Sequence, residues 1–301
     1  MPELPEVETT TRGLKKTVLG LVIKDVWTDL ATKDKRKRDS VANPKFFRNF
    51  KKEVLNKKII SAERRAKNIL INLSEGKTIL VHMKMTGYLF YGKDPKIKFA
   101  HVVFTLSNPR HGGTSKHYLI FSDMRKFGKI TLLDTNVAHD PEGKITSYGA
   151  GSKHLNNIGP EPLEKQFTIT NFELQIFKKQ NGKIKTVLMD QRIIAGIGNI
   201  YSDEILWRAG VHPERKVSTL KKPEIKLIFK AIKETLAKGI DFGGDSMSDY
   251  KNIYGLPGKF QLHHEAYRRT GEKCRKKGCK GTIIRKIING RSAHFCSVHQ
   301  K

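Results

Sequence analysis

The sequence changes its hydrophobic pattern near residue 145, and this change excludes a fold built from one kind of secondary structure. Before that point, β-rich runs separated by turn-forming and charged residues indicate a β-sandwich or barrel. These runs are NILINL, TILVHM, HVVFTL, HYLIFSD and GKITLLD. After it, four stretches have the apolar spacing of helices. These stretches are FELQIF, KIKTVLMDQ, NIYSDEILWRAG and PEIKLIFKAIKETLAKGI.

A further helix is predicted over residues 6–19, where Val7, Leu14 and Val18 form one apolar stripe that Gly20 ends. We therefore expect an α+β protein with several domains. The expected parts are an N-terminal helix with a β-sandwich over 1–147, a linker over 148–165, a helical domain over 166–262 and a cysteine-containing module over 263–301.

The charge of the chain favours a polyanionic partner. Lys and Arg number 58 against 29 Asp and Glu, so the formal charge is +29 and the sequence pI is near 10.0. A lysine-rich surface that only keeps the protein soluble is the alternative. The run KDKRKR at 33–38 is most simply a solvated loop, although it could also contact phosphate. Neither a membrane span nor a signal peptide is indicated, so we expect an intracellular protein with no membrane partner.

The cysteines indicate a metal site. All three lie in the last 28 residues, an odd number in one cluster, which argues against a disulfide scaffold. Cys274 and Cys279 form one pair, and Cys296 and His299 form a second pair after a stretch long enough for a β-hairpin. Such a set suits one structural Zn²⁺ ion with closed tetrahedral coordination. Three reduced surface cysteines and an ordinary histidine are the alternative.

Basic residues surround the predicted hairpin and indicate that it faces DNA or RNA, unless they only make a small module soluble. Upstream, a turn with Gly196 and Gly198 joins two predicted helices, the second of which begins at Asn199. Small residues let backbone amides approach a phosphate, and the positive end of a helix favours an anion there. An Asn N-cap in a tight helical hairpin would explain the same residues without any ligand.

Several short motifs then occur in an order that resembles one family. They are MPELPEVE at the start, RRAK at 64–67, HMKMTG at 82–87, DMRKFG at 123–128, IGPEPL at 158–163, GIGNIY at 196–201, GKFQ at 258–261 and RSAHFC at 291–296. Together with the terminal zinc finger, they resemble the formamidopyrimidine-DNA glycosylase and endonuclease VIII family. The likeness covers essentially the whole chain. It implies a helix-two-turns-helix domain, a monomer, and duplex DNA with oxidised bases or abasic sites as the partner.

The resemblance also implies a catalytic set. Removal of Met1 would expose the secondary amine of Pro2, which would attack the sugar C1′ of a damaged nucleotide, expel the base and form a Schiff base. Glu3 would be the general acid and base, Glu6 would hold the terminus by hydrogen bonds to backbone amides, and Lys67 would neutralise a phosphate beside the lesion. Without the resemblance, the PELPE stretch would only indicate a helix start.

The family further implies DNA contacts. Met85, Arg125 and Phe127 match the residues that fill the gap left by an extruded base, although two of them could otherwise be strand residues of the core. Asn199 and Arg291 match residues that bind phosphates, and Lys185 is a weaker candidate for the same task. The stretch 246–250 resembles the segment that closes over the extruded base.

The chain departs from the family pattern in three places. The usual finger has two CxxC pairs, whereas this one combines a CxxxxC pair with Cys296 and His299. A common YGR turn here reads Tyr267, Arg268 and Arg269, so an arginine replaces a glycine. Lys126 replaces a common arginine beside the wedge.

Three functions follow, in order of preference. The first is a bifunctional glycosylase and AP lyase for oxidised purines such as formamidopyrimidines and 8-oxoguanine, because the Met85, Arg125 and Phe127 pattern is that of the purine branch. The second is an endonuclease VIII-type enzyme for oxidised pyrimidines. The third is a noncatalytic zinc-finger DNA-binding protein, which would have no need of a free Pro2. The enzyme would act in the cytoplasm on nucleoid DNA.

Overall fold

The structure is a computed structural model that describes residues 1–109, 116–134, 138–139, 145–147, 153–247 and 249–301. Part of the predicted linker, residues 148–152, lies outside the described residues. The chain folds into two compact units. The β unit comprises Met1–Pro2, Glu6–Asn157 and Gly243–Gly258, and the helical unit comprises Glu3–Pro5, Ile158–Phe242 and Lys259–Lys301.

The β unit contains two antiparallel four-stranded sheets whose strand orders are β1-β6-β7-β5 and β2-β3-β4-β8. Its strands are β1 (Val22–Thr28), β2 (Ile59–Arg65), β3 (Asn68–Leu73), β4 (Lys77–His82), β5 (Gly87–Gly92), β6 (Ala100–Ser107), β7 (Lys116–Asp123), β8 (Lys129–Asp134) and the short pair β9 (Ala138–His139) and β10 (Ile145–Ser147). The two large sheets share one apolar cluster, which makes them a β-sandwich.

Two helices cover this core. Helix α1 (Leu4–Thr17) buries Val7 and Leu14 completely, and Val18 just beyond its end is buried as well, as the apolar stripe predicts. Helix α2 (Pro44–Val54) begins behind Asn43, whose side chain accepts hydrogen bonds from two backbone amides of its first turn. A short helix, α3 (Lys153–Asn156), lies near the end of the long segment of this unit.

The segment Gly243–Gly258 packs in the β unit, although it lies within the range predicted for the helical domain. The backbone amide of Tyr91 donates to the carbonyl of Ile253 at 2.8 Å. A Cβ at Gly13 would lie 2.4 Å from a methyl carbon of the same isoleucine, so only glycine permits this close contact. Such pairings join residues far apart in the chain, and no local pattern indicates them.

The helical unit has its own apolar core. Its helices are α4 (Ile169–Phe177), α5 (Ile184–Met189), α6 (Asn199–Ala209) and α7 (Lys222–Asp241). Helix α6 is buried on nearly every side, and its buried residues include the polar Ser202, Asp203 and Glu204. Because buried polar groups need partners, α6 can organise several neighbouring segments at once.

The chain ends in an antiparallel hairpin of β11 (Ile283–Ile288) and β12 (Arg291–Cys296). Its two-residue turn consists of Asn289 and Gly290, with φ values of 46° and 75°. Two residues in the left-handed region define the turn that matches strand twist, and Asn-Gly is the favoured sequence for it. Among the described residues, no helix is both long and apolar enough to span a membrane.

Candidate active site

The carboxylate of Glu3 is held at the N-terminus of helix α6. It accepts hydrogen bonds from the backbone amides of Gly198 at 2.6 Å, Ile200 at 2.9 Å and Tyr201 at 3.4 Å. The side chain is 2% exposed, and Pro2 next to it in the chain is also buried. Glu3 therefore does the work of an N-cap for a helix that begins far along the sequence, at Asn199.

Asn199 does not cap α6. The residue at the N-cap position is Gly198, and the Oδ1 atom of Asn199 is buried with no hydrogen-bond partner among the described residues. An N-cap role, which the sequence offered as the explanation without a ligand, therefore does not account for Asn199 at this position. A buried acceptor without a partner is costly, which is consistent with a ligand-binding role.

The glycine turn approaches the N-terminal segment of the chain. Gly196 has a φ of +84°, and a Cβ on it would lie 2.6 Å from the Cβ of Leu4. The amide of Leu4 also donates to the carbonyl of Gly196 at 3.0 Å. The sequence predicted that small residues here admit a phosphate; in this structure Gly196 admits Leu4, the residue after Glu3.

Gln191, which the sequence patterns did not single out, holds the same turn. Its Nε2 donates to the carbonyls of Met189 at 3.0 Å and Ile197 at 2.7 Å, and its Oε1 accepts from the amide of Gly196 at 2.8 Å. A polar residue between a helix end and a glycine turn is a weak signal, because most such residues are solvated.

Glu6 holds the stretch 246–250, which resembles the segment that closes over an extruded base, and the residue before it. Its Oε1 accepts from the amide of Asp245 at 2.7 Å, and its carbonyl accepts from the hydroxyl of Tyr250 at 2.9 Å. Ser246 donates to the carbonyl of Tyr250 at 2.7 Å, whereas Ser248 lies outside the described residues. Glu6 thus accepts a hydrogen bond from the amide of the residue just before this segment, and its carbonyl binds Tyr250 at the end of the segment.

Lys67 lies in the turn between β2 and β3 and is 6% exposed. The preceding Ala66 has a φ of 52°, in the left-handed region. A buried position distinguishes Lys67 from an ordinary solvated strand lysine.

The three predicted wedge residues lie in turns of the β unit. Met85 is 39% exposed and Phe127 is 49% exposed, so neither belongs to the core. The guanidinium carbon of Arg125 stands 4.6 Å from the centre of the Phe127 ring. Two exposed apolar side chains and a stacked guanidinium are suited to contact with nucleobases.

A buried hydrogen bond between distant residues fixes both wedge turns, and no sequence pattern indicated it. The hydroxyl of Thr86 donates to Asp123 Oδ1 at 2.5 Å, and the amide of Gly128 donates to Asp123 Oδ2 at 2.6 Å. The amide of Arg125 in turn donates to the hydroxyl of Thr86 at 3.2 Å. One carboxylate therefore sets the positions of Met85, next to Thr86, and of the 125–127 stretch.

The location of Lys185 differs from the predicted phosphate contact. Its side chain is 1% exposed, and its ammonium donates to Asp203 Oδ1 at 2.5 Å and to Ser202 Oγ at 3.2 Å. The ammonium also lies 3.4 Å from the carbonyl of Asn199. The second Asp203 oxygen accepts from the amide and the ring of His294, each at 2.9 Å. This network ties α5, the first turn of α6 and strand β12 together.

Arg291 is exposed and begins strand β12, directly after the turn of the terminal hairpin. The tip is fixed to helix α5, because the side-chain amide of Asn289 donates to the hydroxyl of Thr186 at 3.2 Å. The backbone position of Arg291, which follows this turn, is therefore fixed relative to helix α5.

The four predicted metal ligands are brought together. The ligand atoms of Cys274, Cys279, Cys296 and His299 all lie within 4.8 Å of one another. His299 Nε2 donates to the carbonyl of Trp207 at 3.0 Å, which leaves Nδ1 unprotonated and 3.3 Å from the sulfur of Cys274. Fixing the tautomer in this way prepares the ring for metal binding. The group can hold a metal ion.

Glu204, a buried residue of helix α6, binds the backbone at the start of the cysteine-containing module. Its carboxylate accepts from the amides of Glu265, Ala266 and Tyr267 at 2.8 to 2.9 Å. Burial raises the pKa of Glu204, and the charge of His264 and these amides oppose that effect.

Arg268, which stands where the family usually has glycine, keeps a glycine-like backbone. It is exposed, with a φ of +59°. A left-handed conformation costs an L-residue about 1–2 kcal/mol, whereas glycine adopts it without that strain but loses about 0.5–1 kcal/mol more chain entropy on folding. The two effects leave a small net advantage for glycine.

We expect Arg268→Gly to raise the free energy of unfolding by about 0.5–1 kcal/mol, measured by urea titration. Arg268→Ala removes the same side chain but keeps the strain, so it should not raise the free energy of unfolding. Equal stability of the two variants would contradict this explanation.

Two family models match the chain. That of the formamidopyrimidine-DNA glycosylase N-terminal domain matches residues 1–130, and that of the formamidopyrimidine-DNA glycosylase H2TH domain matches residues 158–251. A protein named formamidopyrimidine-DNA glycosylase from Pelotomaculum thermopropionicum is 39% identical over 308 residues, covering 100% of this chain and 99% of the relative. The chain belongs to the formamidopyrimidine-DNA glycosylase family. A second protein named formamidopyrimidine-DNA glycosylase, from Herpetosiphon aurantiacus, is 37% identical over 303 residues, with 100% of both chains covered.

Solved structures of the family agree with this assignment. A mutant of the Lactococcus lactis protein in complex with DNA containing Fapy-dG has a TM-score of 0.83 and 32% identity, with 100% of both chains covered. The Lactococcus lactis protein in complex with DNA containing an abasic site has a TM-score of 0.82 and 31% identity, with 99% of each chain covered. The family resemblance and the fold class predicted from the sequence are confirmed.

Proposed function

We propose that this protein is a bifunctional DNA glycosylase and AP lyase of base excision repair, which removes oxidised purines from duplex DNA. The chain belongs to the formamidopyrimidine-DNA glycosylase family, and the observation that carries the proposal is the set of hydrogen bonds that holds the Glu3 carboxylate. A buried carboxylate next in sequence to Pro2 is held by three backbone amides, so its position is set before any substrate binds. The enzyme would act as a monomer inside the cell.

The reaction begins once Met1 is removed. An N-terminal amine titrates near pH 8, about two units below lysine, so about a tenth of Pro2 is unprotonated at neutral pH, on the order of a hundredfold more than of an ordinary lysine. Its nitrogen forms a bond to C1′ as the bond between C1′ and the base breaks and the electron pair leaves with the base. Opening of the sugar ring gives an iminium ion. This cation acidifies the C2′ protons, so that the 3′ phosphate and then the 5′ phosphate are eliminated.

Glu3 moves the protons that these steps require. Proton transfer by a positioned carboxyl group contributes typically about 10²–10⁴-fold to such reactions. The amides of Gly198, Ile200 and Tyr201 fix where its oxygens lie. Glu6 acts indirectly, by holding the segment that includes Asp245 and Tyr250, and Lys67 neutralises a phosphate beside the lesion.

Extrusion of the damaged nucleotide costs a few kcal/mol, which the wedge partly offsets. Met85 and Phe127 insert between the stacked bases of the duplex, and Arg125 faces the base that was paired with the extruded nucleotide. Asn199 and Arg291 bind flanking phosphates. Lys185 contributes from the interior, by fixing the first turn of α6 through Asp203.

The metal is a structural Zn²⁺ ion. Three thiolates and one imidazole match the preference of zinc, and four protein ligands leave no position open for substrate. The ion would stabilise the hairpin that presents Arg291 and would take no part in the chemistry.

Base excision from duplexes with 8-oxoguanine or thymine glycol, together with strand cleavage at a preformed abasic site, tests the function. The purine assignment predicts the fastest excision of 8-oxoguanine. Preference for thymine glycol would favour the endonuclease VIII type, and binding without cleavage of any of them would favour a noncatalytic DNA-binding protein.

A further inference from the structure

The stretch from Lys33 to Arg38, called here the basic turn, has no part in the function described so far. Five of its six residues are Lys or Arg. Residues Lys35–Lys37 form one turn of 3₁₀-helix in the β unit. Most of its basic side chains are exposed; the side chain of Arg36 is 90% exposed and that of Arg38 is 79% exposed.

The only acid within the basic turn, Asp34, is paired with Arg36 and so does not neutralise the two lysines. Asp34 accepts from the amide of Arg36 at 2.9 Å and pairs with its guanidinium at 2.8 Å. The side-chain hydrogen bond from Arg36, together with the amide, lowers the pKa of Asp34 to about 2. Lys33 and Lys35 are exposed, and neither forms an ion pair with an acid in the part of the chain that the structure describes. Their charges are therefore available to a partner.

The basic turn is fixed beside the wedge. The ammonium of Lys37 donates to the carbonyl of Lys126 at 2.8 Å, and Lys126 stands between Arg125 and Phe127. Downstream, the amide of Val41 donates to the carbonyl of Ile130 at 3.0 Å, which attaches the same segment to strand β8. A solvated loop needs neither connection.

We propose that the basic turn is an additional DNA-backbone site, in which Lys33 and Lys35 contact phosphates next to the point where the wedge enters the duplex. The inference rests on the proposed function, because it takes the wedge to be in contact with DNA. Ammonium groups on a turn that is attached to the wedge loop suit the phosphates of a duplex that the wedge enters. They also hold the DNA that the wedge deforms.

The test uses the full-length protein and a duplex containing a tetrahydrofuran abasic-site analogue, with affinity measured at several salt concentrations. Each phosphate contact contributes a slope of about −0.9 to log K against log salt. For Lys33→Gln with Lys35→Gln, we expect binding weaker by on the order of tenfold and a slope shallower by about 1.8. The matched control is Lys15→Gln with Lys16→Gln, two exposed lysines of helix α1 in the same unit.

A second measurement locates the contact. Replacing the phosphates nearest the lesion on one side by neutral methylphosphonates should abolish the difference between wild type and the Lys33→Gln, Lys35→Gln variant, and replacing those on the other side should preserve it. An unchanged slope, or an equal loss in the control variant, would overturn the inference. If wild type fails to bind or cleave lesion DNA, the proposed function itself is wrong.

Discussion

Replacing Glu3 by Gln is expected to slow base release by about a thousandfold, within the roughly 10²–10⁴-fold range of acid–base catalysis, and to leave DNA binding intact. Glutamine cannot supply or accept the proton that Glu3 moves in the proposed mechanism. Single-turnover excision of 8-oxoguanine, with enzyme in excess, measures the effect directly. On a preformed abasic site the loss should be smaller, because no base has to be expelled.

The structure adds a second consequence for this variant. Glutamine keeps one acceptor oxygen, so its NH₂ group must face one of the amides that Glu3 now binds. The lost hydrogen bond should lower the free energy of unfolding by about 1–3 kcal/mol. Activity is therefore to be compared well below the unfolding temperature. Base release at the wild-type rate by a folded Glu3→Gln protein would refute the catalytic role of Glu3.

Loss of a metal ligand is expected to have the largest structural effect. Structural zinc contributes about 10–16 kcal/mol of apparent binding free energy in small fingers, and the cluster that packs on Trp207 includes Cys274 and Cys296. We expect Cys296→Ser to lose the ion, to lose hydrogen-exchange protection in β11 and β12, and to bind lesion DNA about a hundredfold or more weakly, in line with roughly 3 kcal/mol. Metal content by elemental mass spectrometry provides the first readout.

Two variants of His299 separate its ligand role from simple packing. His299→Ala should lose most of the metal, whereas His299→Cys restores a four-cysteine set and should retain it. Val298→Ala, at a side chain 49% exposed in the same turn, serves as the control. Full zinc content in His299→Ala would show that the fourth ligand is a different group.

The elements that could be predicted from the sequence are those that carry their own pattern. The apolar stripe of α1, the β-rich runs and the ligand spacing of the finger are all local signals. Strands β1, β2 and β5 and helix α2 were not predicted. Strand β1, for example, has several exposed positions that interrupt its apolar alternation.

The site was harder to predict because its supports join distant residues. Glu3 caps a helix that begins at Asn199, and Thr86 pairs with Asp123. In both cases the residues near one partner in the sequence give no signal that predicts the other partner. Lys185 shows the same limit, since a lysine in a polar stretch indicates exposure, and only the folded unit brings Asp203 to it.

In the proposed mechanism the nitrogen of Pro2 joins the sugar covalently, and reductive trapping tests this bond most directly. Mature enzyme would be incubated with an 8-oxoguanine duplex and borohydride, digested, and its peptides analysed by mass spectrometry. We expect the deoxyribose remnant on the peptide that begins at Pro2, and no trapping of protein that retains Met1. A remnant attached to Lys67 or any other lysine, with the Pro2 peptide unmodified, would contradict the mechanism.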